Sequence, residues 1–387
     1  MTEKLYYSDG YIKEFSAVVK SCVKAENGFK VVLEKTAFFP EGGGQKPDTG
    51  FIGDVRVFDV QEEDGEIYHY TENPLDEDTE YLCKIDWEQR FSRMQNHSGE
   101  HIVSGVVHAL YGYDNVGFHM EEDYVTVDFS GELTRQQLDD VEKRANEAVF
   151  SNIDIECLYP EPDELDLIDY RSKLELTEDV RLVKIGNVDL CACCAPHVNK
   201  TGEVGTIKLL DYMRHRGGVR VVMRCGFTAL QDYREKYTSV YEISGLLSAK
   251  QPEVSAAVER LKKENDALKR EMTEFKMNIA ENDKKNLSFV NGISYYISSF
   301  YDADMMRVLA NYGMEHSDLS VILSGSDDAG YSYIAASNTL DMRNVAKIIN
   351  SSLNGRGGGR DTMIQGKISA THNKIVDFLK NLNLQEV

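Results

Sequence analysis

The chain has no apolar run approaching the ~20 residues that a membrane-spanning helix needs. Nor does its N-terminus offer a signal-peptide core, because Lys4, Asp9, Lys13 and Glu14 interrupt the first fifteen residues. Both shortages point to a soluble, cytoplasmic protein without a membrane partner. Positive charge is scarce as well: 43 Lys and Arg stand against 65 Asp and Glu, a formal net charge of −22. That balance argues against a general polyanion binder. Counterion release needs only local basic charge, however, so a nucleic-acid contact would have to come from restricted patches. Two exist, at 214–224 and 356–360. Cysteine is sparse and odd in number: Cys22, Cys83, Cys157, Cys191, Cys193, Cys194 and Cys225. Three of the seven crowd into four positions, a poor disulfide framework and a better metal site.

A length of 387 residues suits two or three domains, and a 42% hydrophobic content suits ordinary buried cores. From Val18 to Asp86 the pattern is strand-like, with Asp64-Gly65 between two β-rich runs as a hairpin turn. Short strands at this spacing predict a small barrel or sandwich. A helix is predicted from Asp86 or Trp87 to a stop at Gly112. A second runs from Thr134 to Val149, with Thr134 as cap and Gln137 three positions on. Strands and glycine turns return over 180–223, which makes residues 88–230 an α+β region.

The next segment changes period. Val254, Val258, Leu261, Asn265, Leu268, Met272, Phe275 and Ile279 alternate four and three apart, a heptad seam with Asn265 as its polar member. It reads either as an intermolecular coiled coil or as a long helix packed on its own chain. Beyond Asn286 an α/β module is predicted. Its strands are Ile293–Ser298, Leu319–Leu323 and Tyr331–Ala336, and its helices are Asp302–Tyr312, Met342–Ser352 and Thr371–Leu382. A glycine-rich loop over 355–360 interrupts it.

His97 and His101 lie four apart on the first predicted helix, so both rings leave the same face. Cys193 and His197 are four apart far downstream. Two pairs of nitrogen and sulfur donors suit zinc. Counting does not decide among Cys191, Cys193 and Cys194 as the sulfur ligand. His108 and His119 read as packing or outer-shell groups. His97-Ser98-Gly99-Glu100-His101 also matches the HxxEH peptidase pattern, with Glu100 as prospective base. Glu100 is rotated away from His97 in a helix, however, and reads equally as a solvated or capping carboxylate. The peptidase reading also leaves the CxxxH and glycine-rich motifs unexplained.

Those motifs resemble a family. Alanyl-tRNA synthetase editing domains and the AlaX proteins combine an HxxxH helix with a later CxxxH, a Val and a TGEIG-like turn. Here the second part is Cys193 to Val198, then Thr201-Gly202-Glu203-Val204-Gly205. The stretch Thr36-Ala37-Phe38-Phe39-Pro40-Glu41-Gly42-Gly43-Gly44-Gln45, followed by Asp48-Thr49-Gly50, is similar to a further family motif, and Gly218-Val219-Arg220 to another. Gly357-Gly358-Gly359-Arg360-Asp361 and Gln365-Gly366 resemble the C-terminal domain of the long AlaX form. The chain departs from the pattern at Cys194, Ala195 and Pro196, where Gly, Gly and Thr are common, and at Phe39, where Tyr is.

The resemblance implies one zinc per chain on His97, His101, Cys193 and His197, with Cys191 and Cys194 excluded. It places Thr36 and Gln45 in the amino-acid pocket, and assigns substrate or tRNA contacts to Gly43, Gly44, Arg220, Arg356 and Arg360. The implied layout is α+β: a β-barrel-like domain over 1–87, a zinc-containing editing domain over 88–236, a helical segment over 237–285 and a glycine-rich α/β domain over 286–387. No aminoacylation domain precedes Met1, so the expected activity is removal of amino acids: zinc-dependent hydrolysis of seryl- or glycyl-tRNA made on alanine tRNA. The partner is then mischarged alanine tRNA, with a homodimer through 250–282 or the C-terminal domain as a candidate assembly. The alternative class is a non-catalytic tRNA-binding protein with structural zinc.

Overall fold

The computed structural model describes residues 1–387 apart from 123, 166, 173–179, 361 and 387. Asp361 of the glycine-rich motif therefore lies outside the described residues. The chain is a mixture of helices and sheets that divides into two units, Met1–Glu242 and Ile243–Val387.

The first unit begins with six strands that close on themselves: Glu14–Lys24, Phe29–Leu33, Glu66–Thr71, Val55–Glu63, Gly50–Ile52 and Glu80–Ile85, in that spatial order. Glu63 pairs with Glu66 across a two-residue turn. Asp64 and Gly65 both adopt positive φ there, 51° and 77°, as a turn matching strand twist requires. Val19, Val31, Val60 and Ile67 fill the interior.

The helix Trp87–Tyr111 follows and stops at Gly112, which is left-handed at φ 68°. Its apolar side, including Met94, Ile102 and Val107, packs into a core shared with Phe118, Val127 and Val221. Those residues belong to a four-stranded antiparallel sheet ordered Ile207–His215, Gly218–Cys225, Val125–Phe129 and Asn115–Met120. Arg135–Phe150 is a helix opened by the reciprocal Thr134–Gln137 cap. A smaller sheet runs Ile155–Leu158, Leu182–Ile185 and Asp189–Ala192. The helix Gly226–Leu247 begins directly after the last long strand, earlier than the helical segment expected from 237.

In the second unit, Val254–Asp283 is one helix. Val258, Leu261, Leu268, Met272 and Phe275 of the heptad seam are exposed along it. A six-stranded sheet follows in the order Ser288–Val290, Ile293–Ser298, Leu319–Ser326, Gly330–Ala336, Met363–Ile368 and Gly355–Arg360. Strand alternation divides its side chains: Ile322 and Ile334 meet Met305 and Leu309 of helix Ala303–His316, while Val321 and Tyr333 meet Val345 and Ile375 of helices Met342–Ser352 and His372–Asn381. Asp302 and Thr371 lie just outside their helices as side-chain caps.

The expected glycine-rich loop is corrected here. Gly355–Arg360 is an edge strand, paired with Met363–Ile368 in antiparallel register. A Cβ at Gly357 would stand 2.4 Å from the Tyr333 hydroxyl, and one at Gly359 2.3 Å from the Met363 carbonyl. Glycine there permits close strand approach, a role that composition alone does not separate from turn formation. Among the described residues no helix is long and apolar enough to cross a membrane.

Candidate metal centre

His97 and His101 project from the helix Trp87–Tyr111, and Cys193 and His197 from the turn after strand Asp189–Ala192. One ligand atom from each lies within 4.8 Å of all the others. Cys193 Sγ is 3.5 Å from Nε2 of His97 and 3.3 Å from Nε2 of His197. All three histidines are buried.

Each ring is held from behind. His97 Nδ1–H donates to Gln45 Oε1 at 3.0 Å, and His101 Nδ1–H donates to Asp189 Oδ2 at 2.9 Å. Nδ1 of His197 pairs with Ser98 Oγ at 3.0 Å, and that oxygen also takes the Val198 N–H. Arg171 holds the other Asp189 oxygen at 2.8 Å. This is the arrangement that fixes a metal-facing tautomer, with Nδ1 engaged and Nε2 turned to the centre.

The electrostatics agree with a donor cluster. Burial pushes the Cys193 thiol up, but His97 and His197 outweigh it and bring it well below the usual thiol range. Burial pushes His197 down to about 3, which keeps that ring neutral. Burial also opposes charging of His101, yet its bonds to Asp189 and Cys193 raise it well above the usual imidazole value. Metal takes a thiolate and neutral imidazoles, so Cys193 and His197 stand ready as donors and His101 would release its proton on binding.

The cluster forms part of the wall of a cavity of about 870 Å³. Gly43, Gly44 and Phe118 border it, as do Glu100, Asn115 and Arg181. Gly44 sits at φ 81°, and a Cβ there would come within 2.5 Å of the Phe118 ring. The ring in turn lies 4.8 Å from that of His97. Arg181 Nη1 donates to the carbonyls of Cys193 and Ala195, at 2.7 and 2.9 Å, and so clasps the ligand turn. Cys191 is buried beside His101 and Asp189, and Cys194 borders the cavity near Gly43.

Several expected residues stand elsewhere. Thr36 is fully buried and is not among the described residues of the cavity wall. His69 Nδ1–H faces the Val31 carbonyl at 3.2 Å, so its Nε2 accepts the Thr36 hydroxyl at 2.8 Å. Thr36 Oγ1 also accepts the Phe38 N–H. Gln45 acts behind His97. Arg220 makes a two-pronged bond to Asp128, its cross-strand neighbour, at 2.6 and 2.7 Å. Arg356 and Arg360 are exposed on the edge strand, four apart and so on one face. His108 is exposed with Asp114 as its partner, and His119 is exposed on its strand, so neither packs in the core or supports the cluster.

Glu100 is not a solvated carboxylate: it is buried, and its Oε1 accepts from both Ser104 Oγ and Asn115 Nδ2. Strand Asn115–Met120 lies beside that side of the helix, which sequence periodicity could not reveal. Asp189, Ser98 and Arg181 were also missed. Asp189 gave the one usable signal, a carboxylate within a strand of otherwise apolar residues. Arg90 and Asp48 form a fully buried ion pair. Nε of Arg90 reaches both Asp48 oxygens at 2.9 Å, and its Nη atoms donate to the Gly10 and Ala37 carbonyls.

Comparison with known proteins fits this geometry. The family described as the threonyl and alanyl tRNA synthetase second additional domain matches residues 180–222, the stretch that carries Cys193 and His197. Residues 290–385 match the DHHA1 domain, and residues 3–89 match tRNA synthetases class II (A). The chain is similar along its length to the alanyl-tRNA editing proteins. It is 29% identical to alanyl-tRNA editing protein AlaX-L of Pyrococcus horikoshii, over 97% of each chain. It is 28% identical to alanyl-tRNA editing protein Aarsd1-A of Xenopus laevis, over 93% of this chain and 92% of that one. An alanine–tRNA ligase of Ignicoccus hospitalis is 27% identical over 98% of this chain but only 43% of its own length.

Proposed function

We propose that this chain is a trans-editing aminoacyl-tRNA hydrolase, which cleaves the ester joining serine or glycine to alanine tRNA. One observation carries the reading: three buried imidazoles and the Cys193 sulfur converge beside a cavity of ligand size. The names of the relatives supply the tRNA, and the cavity's small glycine-lined wall suits a small amino acid.

Zinc, one ion per chain, is the metal we assign to His97, His101, Cys193 and His197. Zn–S of ~2.3 Å and Zn–N of ~2.0–2.1 Å at tetrahedral angles separate sulfur and nitrogen by about 3.5 Å. The observed 3.5 and 3.3 Å suit that geometry. Bound there, zinc would polarise the ester carbonyl or orient the substrate. The protein's own work is positioning. Gln45, Asp189 and Ser98 hold the rings, Arg181 holds the Cys193 turn, and Gly43 and Gly44 let the substrate approach bare backbone. Thr36 contributes as architecture behind that wall.

We further assign tRNA docking to the C-terminal unit, through Arg356 and Arg360 on their exposed strand. Self-association would use the exposed seam of 250–282 or the C-terminal domain. The work would be cytoplasmic, where charged tRNA is used. A second reading draws on one observation: four protein donors saturate a tetrahedral ion, as structural zinc does. The protein would then bind tRNA without cleaving it. Deacylation of seryl-, glycyl- and alanyl-tRNA made on alanine tRNA separates the two. Release of serine or glycine ahead of alanine is expected, and no release from any of the three retires the hydrolase.

A further inference from the structure

The helix Val254–Asp283 packs on its own unit near its C-terminal end. Ala280 sits with Met305 and Met306, the Tyr296 and Tyr301 hydroxyls donate to Asp283, and Lys276 pairs with Asp302 at 2.8 Å. The heptad seam lies off that side. Six of its eight side chains, from Val258 to Ile279, are 41 to 64% exposed. The seam is about 38 Å long at 1.5 Å per residue, a long apolar row to leave in water.

The charges beside the seam identify what covers it. With Asn265 at an a position of the heptad and Leu261 and Leu268 at d, the e row carries Lys262, Lys269 and Lys276 and the g row carries Glu264 and Glu271. One flank is therefore basic and the other acidic. Two copies running in parallel set each g residue against the e residue five positions on in the other copy. That joins Glu264 to Lys269 and Glu271 to Lys276 across the pair. An antiparallel pair would set lysines against lysines and glutamates against glutamates. Asn265 selects the same arrangement. Parallel helices in register bring its two copies together, where the amides can hydrogen-bond to each other. Out of register, each amide would be buried against apolar side chains.

We propose that the helix Val254–Asp283 pairs with its counterpart in a second copy of the chain, as a parallel, in-register, two-stranded coiled coil. This rests on the self-association reading above and commits it to one surface and one orientation, and it is independent of the hydrolase reading. Because the helix leads into the C-terminal sheet, parallel pairing carries the two sheets to the same end of the pair. Lys276 is already engaged by Asp302, whereas the ion pair of Glu264 with Arg260 in its own helix is loose, at 4.0 Å. Glu264 and Lys269 are therefore the pair to test.

Sedimentation equilibrium of the full chain, purified with its metal, provides the first arm, over a range of about 1–100 μM. The wild type should reach twice the 43.8 kDa of one chain. Leu261→Glu combined with Leu268→Glu should stay monomeric, and its fold should survive because both side chains are exposed in the single chain. A monomeric wild type overturns this inference and the self-association reading together. A double variant that still dimerises overturns this inference alone and moves the interface to the C-terminal domain. A wild type heavier than a dimer overturns the two-stranded assignment. Charge reversal reads the orientation. Glu264→Lys should weaken the dimer about tenfold, since it turns two exposed cross-pairs from attraction to repulsion, and adding Lys269→Glu should restore it to within about threefold. A dimer that Glu264→Lys leaves unchanged or tightens, or that the added Lys269→Glu fails to restore, overturns the parallel register.

Discussion

Gln45 accepts the Nδ1–H of His97 at 3.0 Å, so a glycine turn of the strand region orients a ring on a helix 52 positions later. Replacing Gln45 with Leu removes that acceptor and leaves the ring free to turn. Metal affinity should fall ~10–100-fold, read by competition with a chromophoric chelator. Gln45→Glu keeps an acceptor and should recover most of the loss. Equal affinity in Gln45→Leu and wild type would show that the bond does not support the cluster.

Arg90 and Asp48 are both buried, and each is the other's charge partner. Arg90→Met alone leaves the buried Asp48 carboxylate with only the more distant Arg93, at 3.9 Å, and the Phe39 N–H. It should cost about 3–5 kcal/mol in urea unfolding. The double variant with Asp48→Asn should be more stable than the single one. A single-variant loss within about 0.5 kcal/mol would mean that water reaches the pair.

His69 gives a pH signature. Burial lowers its pKa from 6.5 to about 4, because the ring is enclosed and neutral. The unfolded chain binds this proton first as pH falls. The contribution is therefore whole above pH 6.5 and drains away toward pH 4, by about 3 kcal/mol in all. Across that window the wild type should lose more unfolding free energy than His69→Asn does. Parallel profiles would mean that His69 is not the group responsible.

Thr36→Val deletes the hydroxyl that His69 accepts. Stability should drop by about 1–3 kcal/mol, since a buried acceptor loses its donor. Seryl- and alanyl-tRNA hydrolysis should then change by similar factors. A loss confined to serine would return the hydroxyl to substrate recognition.

Arg356→Ala with Arg360→Ala should raise KM for charged tRNA and leave kcat nearly unchanged. The salt dependence of binding should flatten by an amount on the order of two phosphate contacts. An unchanged KM and salt slope would exclude this strand from docking.

Periodicity and turn chemistry carried the local elements well. The Asp64-Gly65 hairpin, the Gly112 stop, the Thr134–Gln137 cap and the helix over Met342–Ser352 all depend on neighbouring residues, which is why a linear reading finds them. The four donors were visible for a related reason, since two pairs spaced by four stand out against their surroundings. Their supports were not visible. Asp189 meets His101 across 88 positions and Arg181 grips Cys193 from just before a neighbouring strand, and no spacing rule links them. Gly355–Arg360 misled because glycine serves both tight turns and tightly packed strands. Glu100 misled because a helical wheel shows rotation but not which strand will cover the helix.

The Arg90–Asp48 pair also bears on how such a protein can be divided and reused. A fragment of residues 88–236 would contain every donor atom of the cluster and all but the first residue of the helix that bears two of them. It would lack Gln45 and Asp48, strip Arg90 of the Asp48, Gly10 and Ala37 partners that enclose it, and let His97 swing. A recombination event that carried away only the donor-bearing stretch would inherit the parts list without the tolerances. Transfer of the site to a new protein must therefore bring the preceding strands with it as a single heritable block.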